Sequence, residues 1–550
     1  MTVFALTLAA ALVALAVAAA ATALLMPWWV RRVTAAVLTR PMSDTLAELY
    51  VSTRSTPPMQ LLYTSLRSTT GRLVIRPMGS ARPAHGFDDL ALVPAQLARR
   101  PRLESEPVDL AVTLGRHTRR PLRMAMPLYM SGMAYGLAIT RSARLAMARA
   151  SGAVDIALNS GQGPFLAEER AACSTYVLQF GRWAWNRDPK ILRQADMIEV
   201  QVGQGAMPGN AVVASPGEIG PEIRRLMGLA PGEAPDIHAD LYLDDPTRPV
   251  PLDEVVAYLR DVVDGVPIAV KMGAGDRLEE DIDVAIRAGV DVIVIDGTEG
   301  ATGNAPITLS DHFGIPSLTA LARAVRHLER SGARSEVDVC ISGGFREPGD
   351  FLKAYAMGAD AVGLATVVMF ALAHPQITRT VPFYPPTDLV FYRSRPQIPL
   401  DEDRASEALT RFFRSCAEEM AVALRTMGHL RVRDMGRDDL CALNLEIARQ
   451  ANVRYAGDDR RTGTDAPSGP DEPVLSSRDG AKMGGITSSC SRGRGHERCS
   501  RGPAAHPGGR TARRAPGVLA GRPERALAGR GGDGRVAHRR DGSDPAPPAR

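Results

Sequence analysis

Lys271 stands in PIAVKM (residues 267–272), a run otherwise apolar, close to where a strand would empty into a loop. An ammonium group in such a strand costs several kcal/mol unless it is paired or works on a ligand. It therefore serves either to stabilise negative charge on something bound or to pair with Asp296 or Glu199. Two further stretches suit an anion. ISGGFREPGD (341–350) and ADAVGLAT (359–366) set Gly343, Gly344, Gly363 and Ala365 where bare backbone N–H groups can reach phosphate oxygens. The plainer reading of both is a pair of tight turns. Gln179 and Gln204 can hydrogen-bond the edge of a ring, or serve as ordinary loop side chains. Residues 290–306 run five apolar residues (Val290, Val292, Ile293, Val294, Ile295) into Asp296–Gly297 and a loop of small residues. A bare strand opening into a glycine loop presents backbone N–H groups to a ligand.

These residues need elements to hold them. Short apolar runs at 121–130, 153–159, 175–180, 197–202, 267–272, 290–296, 337–341 and 361–365 alternate with helical patterns at 140–150, 189–195, 216–226, 252–263, 278–288, 317–331 and 350–357. Such alternation means parallel βαβ units. About eight of them predict an α/β fold of the (β/α)8 TIM-barrel type over residues 121–370. An open doubly wound sheet is the alternative, but no GxGxxG turn follows the first strand. Residues 41–120 are rich in proline and read as an irregular cap with a helix over 88–99. Residues 371–456 read as a proline-rich linker and a helical extension. There Leu409, Phe412, Phe413, Met420, Leu424 and Met427 recur at helical spacing as a core face, and a last helix is expected over 440–451.

The net charge of +5 conceals an asymmetry. Residues 501–550 hold eleven Arg against four acids, or +7, which leaves −2 for everything before them. The folded body is therefore no basic nucleic-acid binder. Six scattered cysteines without CxxC spacing suggest neither a zinc site nor a disulfide framework and fit a reducing compartment. Residues 1–30 carry no charged side chain and exceed the roughly 20 residues that cross a bilayer. Trp28 and Trp29 suit an interface, and Arg31, Arg32 and Arg40 follow. That pattern predicts a single-span anchor over residues 1–32 with the body in the cytoplasm. A cleaved signal peptide is the alternative, but the basic n-region is missing. From residue 457 to 550 large apolar residues almost vanish. This predicts a disordered tail, or the translation of a shifted reading frame in a GC-rich gene.

Taken in order, SGMAYGLAIT, NSGQGP, EVQVGQGAMPGN, AVKM, VIDGTEGATGNAP, SGGFREPGD and AVGLAT resemble the FMN-binding synthase domain of glutamate synthase over residues 87–366. The resemblance implies an FMN oxidoreductase in which reduced FMN passes a hydride to 2-iminoglutarate, with Lys271 tuning the flavin. It places the backbone of Met133, Ala134, Tyr135 and Gly136 against the flavin ring, Gln179 and Lys271 as ring contacts, and Gly343, Gly344, Gly363 and Ala365 as the phosphate cradle. Gln162, Gln201, Gln204, Met207, Thr298, Gly300, Thr302 and Gly303 fall on the side of a small-molecule substrate.

Three departures from the family pattern bear on chemistry. Two lysines of the family's IKLSQGAKPG, which help hold the keto acid's carboxylates, are here Gln201 and Met207, so charge-assisted bonds to a dicarboxylate are lost. The carboxylate of its TGEGG loop is here Gln162, which cannot ionise. Its iron–sulfur cysteines follow strand eight, whereas residues 364–415 contain no cysteine. No iron–sulfur cluster and no metal are expected, and the electron donor is left open. The rival reading is a flavin-binding or non-catalytic membrane-tethered scaffold that has lost the chemistry.

Overall fold

Apolar strands buried on both faces cannot end a sheet at an open edge without leaving backbone groups unpaired in the interior. Here eight of them close on themselves: β1 (Leu128–Met130), β2 (Ala157–Asn159), β3 (Thr175–Phe180), β4 (Met197–Gln201), β5 (Ile268–Gly273), β6 (Val292–Asp296), β7 (Asp338–Ser342) and β8 (Ala361–Leu364). Each pairs in parallel with its neighbours in sequence, and β8 pairs with β1 to close the barrel. The computed structural model describes residues 2–40, 58–76, 79–80, 86–205, 207, 216–235, 237–238, 240–300, 305–380, 387–392 and 398–458. Apart from Gly457 and Asp458, the expected disordered tail lies outside the described residues.

The barrel is the expected one, but three local expectations are overturned. The first strand, expected over residues 121–130, is two. Leu122–Met124 pairs antiparallel with Val112–Leu114, and only Leu128–Met130 joins the barrel. Pro127 has no N–H to give the ladder, and the N–H of Ala125 instead bonds Asp155 O at 2.8 Å. The helix expected over residues 88–99 is a 3₁₀ turn, Phe87–Asp89, followed by the strand Leu90–Leu92. That strand pairs antiparallel with Leu440–Ala442, which also shortens the expected last helix to Leu445–Ala451. In both places a partner some 350 residues away outweighed local propensity.

Outside the barrel, Glu402–Met427 starts at Asp401, whose Oδ1 accepts the Arg404 N–H at 3.1 Å, and stops at Gly428 with φ of 88°. It buries Leu409, Phe413, Met420, Leu424 and Met427 and packs on Arg141–Val154 and Thr366–Ala373. Thr2–Thr39 forms one helix, long and apolar enough to cross a membrane.

Candidate active site

Strand alternation carries chemistry to the inside of the barrel at its carboxyl end. Asn159 (β2), Gln179 (β3), Glu199 (β4), Lys271 (β5), Asp296 (β6) and Ser342 (β7) are all buried there. Asn159 Nδ2 and Gln179 Nε2 both donate to Glu199 Oε1, at 2.9 and 2.7 Å. Lys271 Nζ lies 3.8 Å from Asp296 Oδ2. Asp296 also accepts from Ser342 Oγ at 2.7 Å and from the Gly205 N–H at 3.0 Å. Two buried carboxylates thus have different partners. Neutral amides satisfy Glu199, whereas Asp296 faces an ammonium. The separation of 3.8 Å exceeds a hydrogen bond, so Lys271 is an ion-pair neighbour of Asp296 at the wall of the cavity it lines.

That cavity, of about 560 Å³, sits above the ring, within the usual size of a cofactor site, roughly 300–1,000 Å³. Its wall includes Ser131, Gly132, Gln204, Lys271, Asp296, Glu299, Gly300, Gly343, Gly344, Gly363 and Ala365. Gly343 and Gly344 adopt φ of 112° and 82°, and a Cβ on Gly344 would lie 2.9 Å from Glu299 Cβ. A Cβ on Gly363 would overlap Ser131 Oγ and come within 2.8 Å of the Tyr129 ring. Both positions keep backbone bare at the wall. The helix Thr366–Ala373 begins immediately after β8, so its first N–H groups point toward the same end. Among the described residues, Ser131 Oγ and Tyr129 Oη are buried beside Gly363 without a hydrogen-bond partner of good geometry.

The charge on the wall is mainly acidic, with Asp88, Asp296, Glu299 and Asp350 against Lys271 and Arg346. Burial pushes the Glu299 carboxyl above its ordinary value, although its Oε2 accepts from the Ser317 N–H and Oγ at 2.9 and 2.8 Å. Burial likewise raises Asp350, whose Oδ1 has no hydrogen-bond partner among the described residues.

The other expected residues fall around this centre. Met133, Ala134, Tyr135 and Gly136 follow the wall residue Gly132 but do not line the cavity. Their backbone is packed against the loop after β2, where a Cβ on Gly161 would sit 2.7 Å from the Ala134 N. Tyr135 joins a satellite apolar cluster with Trp183 and Trp185 and donates to Glu222 at 3.0 Å; burial and that bond raise its pKa. Gln179 is beneath the wall, turned to Glu199. Gln162 Nε2 donates to Gln201 Oε1 at 3.1 Å, and Trp185 Nε1 holds the Gln162 carbonyl at 2.7 Å. Met207 is buried against Ala305 and forms a tight bridge with Gln204. Thr298 turns away, donating to Phe313 O at 2.7 Å. Thr302 and Gly303 lie outside the described residues. Among the described residues no group of three His, Cys, Asp or Glu side chains is placed to hold a metal.

Asn159, Ser131, Ser342, Glu299 and Asp350 were not singled out from sequence. The signal that marked Lys271, a polar residue ending a buried strand, applies equally to Asn159, Glu199, Asp296 and Ser342. Behind the ring, Arg144 is fully buried in an ion pair with Glu169, and its Nη1 donates to the carbonyls of Met133 and Asn159 at 3.0 and 3.1 Å. It ties the loops after β1 and β2 together.

Residues 92–430 match the profile described as a conserved region in glutamate synthase. The chain is 31% identical over 410 residues to a glutamate synthase large subunit-like protein of Rhizobium meliloti, covering 71% of this chain and 92% of that one. It is 27% identical over 341 residues to the archaeal-type glutamate synthase (NADPH) of Thermotoga maritima, covering 57% of this chain and 66% of that enzyme's length. Against the chloroplastic ferredoxin-dependent glutamate synthase 2 of Arabidopsis thaliana it is 31% identical over 262 residues, 46% of this chain and 15% of that one. With a barrel mouth built as described and a match over most of that barrel's sequence, the chain belongs to the glutamate synthase family.

Proposed function

We propose that this chain is an FMN-dependent oxidoreductase of the glutamate synthase type, acting on a 2-imino or 2-oxo acid and tethered to a membrane by Thr2–Thr39 with the barrel in the cytoplasm. The observation that carries the reading is the cavity at the carboxyl end of the barrel, with bare glycine backbone on one wall and Lys271 at its base. Those residues fit the cofactor. Gly343, Gly344, Gly363 and Ala365 leave room for a phosphate on backbone N–H groups, and the open hydroxyls of Ser131 and Tyr129 lie beneath them. With four acids on the wall, backbone donors rather than cations would carry most of that binding. When bound, FMN supplies the hydride. Lys271 sets positive charge at the wall where a reduced ring gains electrons. Gln204 and Gly300 also line the cavity and would be available to a substrate there.

Purification of the full chain in detergent and a visible spectrum test this. A flavin band is expected; its absence after reconstitution with FMN refutes the reading. Anaerobic reduction by NADPH, ferredoxin or a quinol, then reoxidation by 2-oxo and 2-imino acids, identifies the partners. N-terminal sequencing of the membrane-bound chain separates an anchor from a cleaved signal. A second reading, a flavin-binding scaffold without turnover, is favoured by the neutral Gln162–Gln201 contact where the family carries charge. It predicts bound flavin that no such acid reoxidises.

A further inference from the structure

The segment over residues 58–76 carries apolar side chains that the fold leaves uncovered. In its helix, Pro58–Thr70, Tyr63 is buried at 7% exposure, whereas Met59, Leu62 and Leu66 are exposed at 50, 48 and 39%. Their spacing of three and four residues puts them on one stripe. Leu73 and Ile75 continue the apolar surface beyond the helix, at 73 and 43%. The segment contains no Asp or Glu and three arginines. Arg76 turns inward to an ion pair with Asp311 and a bond to Tyr63 Oη at 3.1 Å, leaving Arg67 and Arg72 on the outside. An apolar stripe bordered by arginine and free of carboxylate is the composition of a helix lying in the headgroup region of an anionic bilayer.

The chain itself says which surface. Seventeen residues, 41–57, separate this segment from the described end of the apolar helix. Even fully extended they reach no more than about 60 Å, so the segment stays close to any bilayer that Thr2–Thr39 enters. The segment is also fastened to the rim of the cavity. Ile75–Arg76 pairs antiparallel with Ala305–Pro306, which closes the loop after β6, and Ile307 N–H bonds Val74 O at 3.1 Å. Ser80, on the cavity wall, donates to the same Asp311 at 3.0 Å.

We propose that residues 58–75 form a second membrane contact, lying in the interface of the bilayer that holds Thr2–Thr39 and turning the rim of the cavity toward it. This rests on the reading of Thr2–Thr39 as a membrane span. The site then opens beside the lipid surface, within reach of a lipid-dissolved reactant.

The test uses the full chain in nanodiscs of phosphatidylcholine and phosphatidylglycerol. A Leu62→Trp or Leu73→Trp variant adds one fluorophore to the wild-type background, at exposed positions that leave the fold intact. The added emission is expected to shift to the blue and to fall at least twofold when the lipids are brominated at shallow acyl positions. Arg67→Gln with Arg72→Gln should lessen that quenching in anionic discs. Unquenched, water-like emission at both positions overturns the inference. Carbonate extraction of native membranes separates the two ideas. Release of the chain defeats the spanning reading and this one with it, while a chain that stays put with unquenched tryptophans defeats this one alone.

Discussion

Replacing Lys271 by Met removes the ammonium 3.8 Å from Asp296 and leaves that carboxylate buried with two donors, Gly205 N–H and Ser342 Oγ. At an effective dielectric of about 20, a charge pair at this distance is worth about 4 kcal/mol before desolvation. Breaking a buried pair from one side costs roughly 3–5 kcal/mol because the remaining charge is uncompensated. The two surviving hydrogen bonds place Lys271→Met near the lower end, a loss of about 3 kcal/mol. Lys271→Met with Asp296→Asn removes both charges and should return to within about 1 kcal/mol of wild type. Urea unfolding of the wild-type chain, both single variants and the double variant gives the coupling term. The flavin separates the two roles of the lysine. If Lys271 also stabilises a reduced ring, the midpoint potential falls in the single variant and stays low in the double one. Each ~1.4 kcal/mol of lost charge stabilisation reads as about 30 mV in a two-electron couple. A double variant with restored stability and an unchanged potential would refute the cofactor role and leave Lys271 a structural partner of Asp296.

Gly363→Ala puts a Cβ onto Ser131 and Tyr129 and should cost roughly 1–3 kcal/mol with loss of bound flavin, read as the flavin-to-protein ratio after purification. Gln201→Lys alone buries an unpaired charge at a position 2% exposed and should lower stability by several kcal/mol, whereas adding Gln162→Glu restores most of it. The doubly charged site should also bind a 2-oxo dicarboxylate more tightly in flavin difference spectra. At Asp439 burial works against ionisation, but bonds from His429, Arg99 and the Gly436 N–H outweigh it and hold the carboxyl below its ordinary value. A depressed folded pKa contributes stability above about pH 4 and loses it as pH falls through the folded value. Asp439→Asn should therefore be less stable than wild type at pH 7, with the gap closing below pH 4 in paired thermal melts.

The barrel was legible because a strand buried on both faces is written as an unbroken apolar run, as in IAV and VIVI. Two of the three misreadings sit where the partner is remote, while the split of the first strand turns on Pro127 and a hairpin partner close upstream. Leu90–Leu92 had helix-like neighbours and only Pro94 against it; the strand that claims it lies near residue 440. Within the site, residue type alone announced the glycines, since bare backbone at a wall is a property of glycine itself. Glu199 was harder. In MIEVQV it reads as a partner for Lys271, and its actual donors stand 40 and 20 residues earlier on two other strands. Only the closed barrel brings three strands' amides and carboxylate together.

The same closure changes the meaning of two departures from the family pattern. In sequence, Gln162 and Gln201 are separate losses of charge, one of a carboxylate and one of an ammonium. In space they are one contact, amide to amide at 3.1 Å, with Trp185 holding the backbone of the first. Removing one member of a buried charged pair leaves a penalty of several kcal/mol, while replacing both by hydrogen-bonding neutrals of similar size does not. The arrangement is that of a pocket whose charge has been rewritten and whose packing has been kept. The two readings therefore divide on turnover: reoxidation of the reduced flavin by a 2-oxo or 2-imino acid is expected of an oxidoreductase with an altered acid substrate and is absent from a barrel that has lost its chemistry.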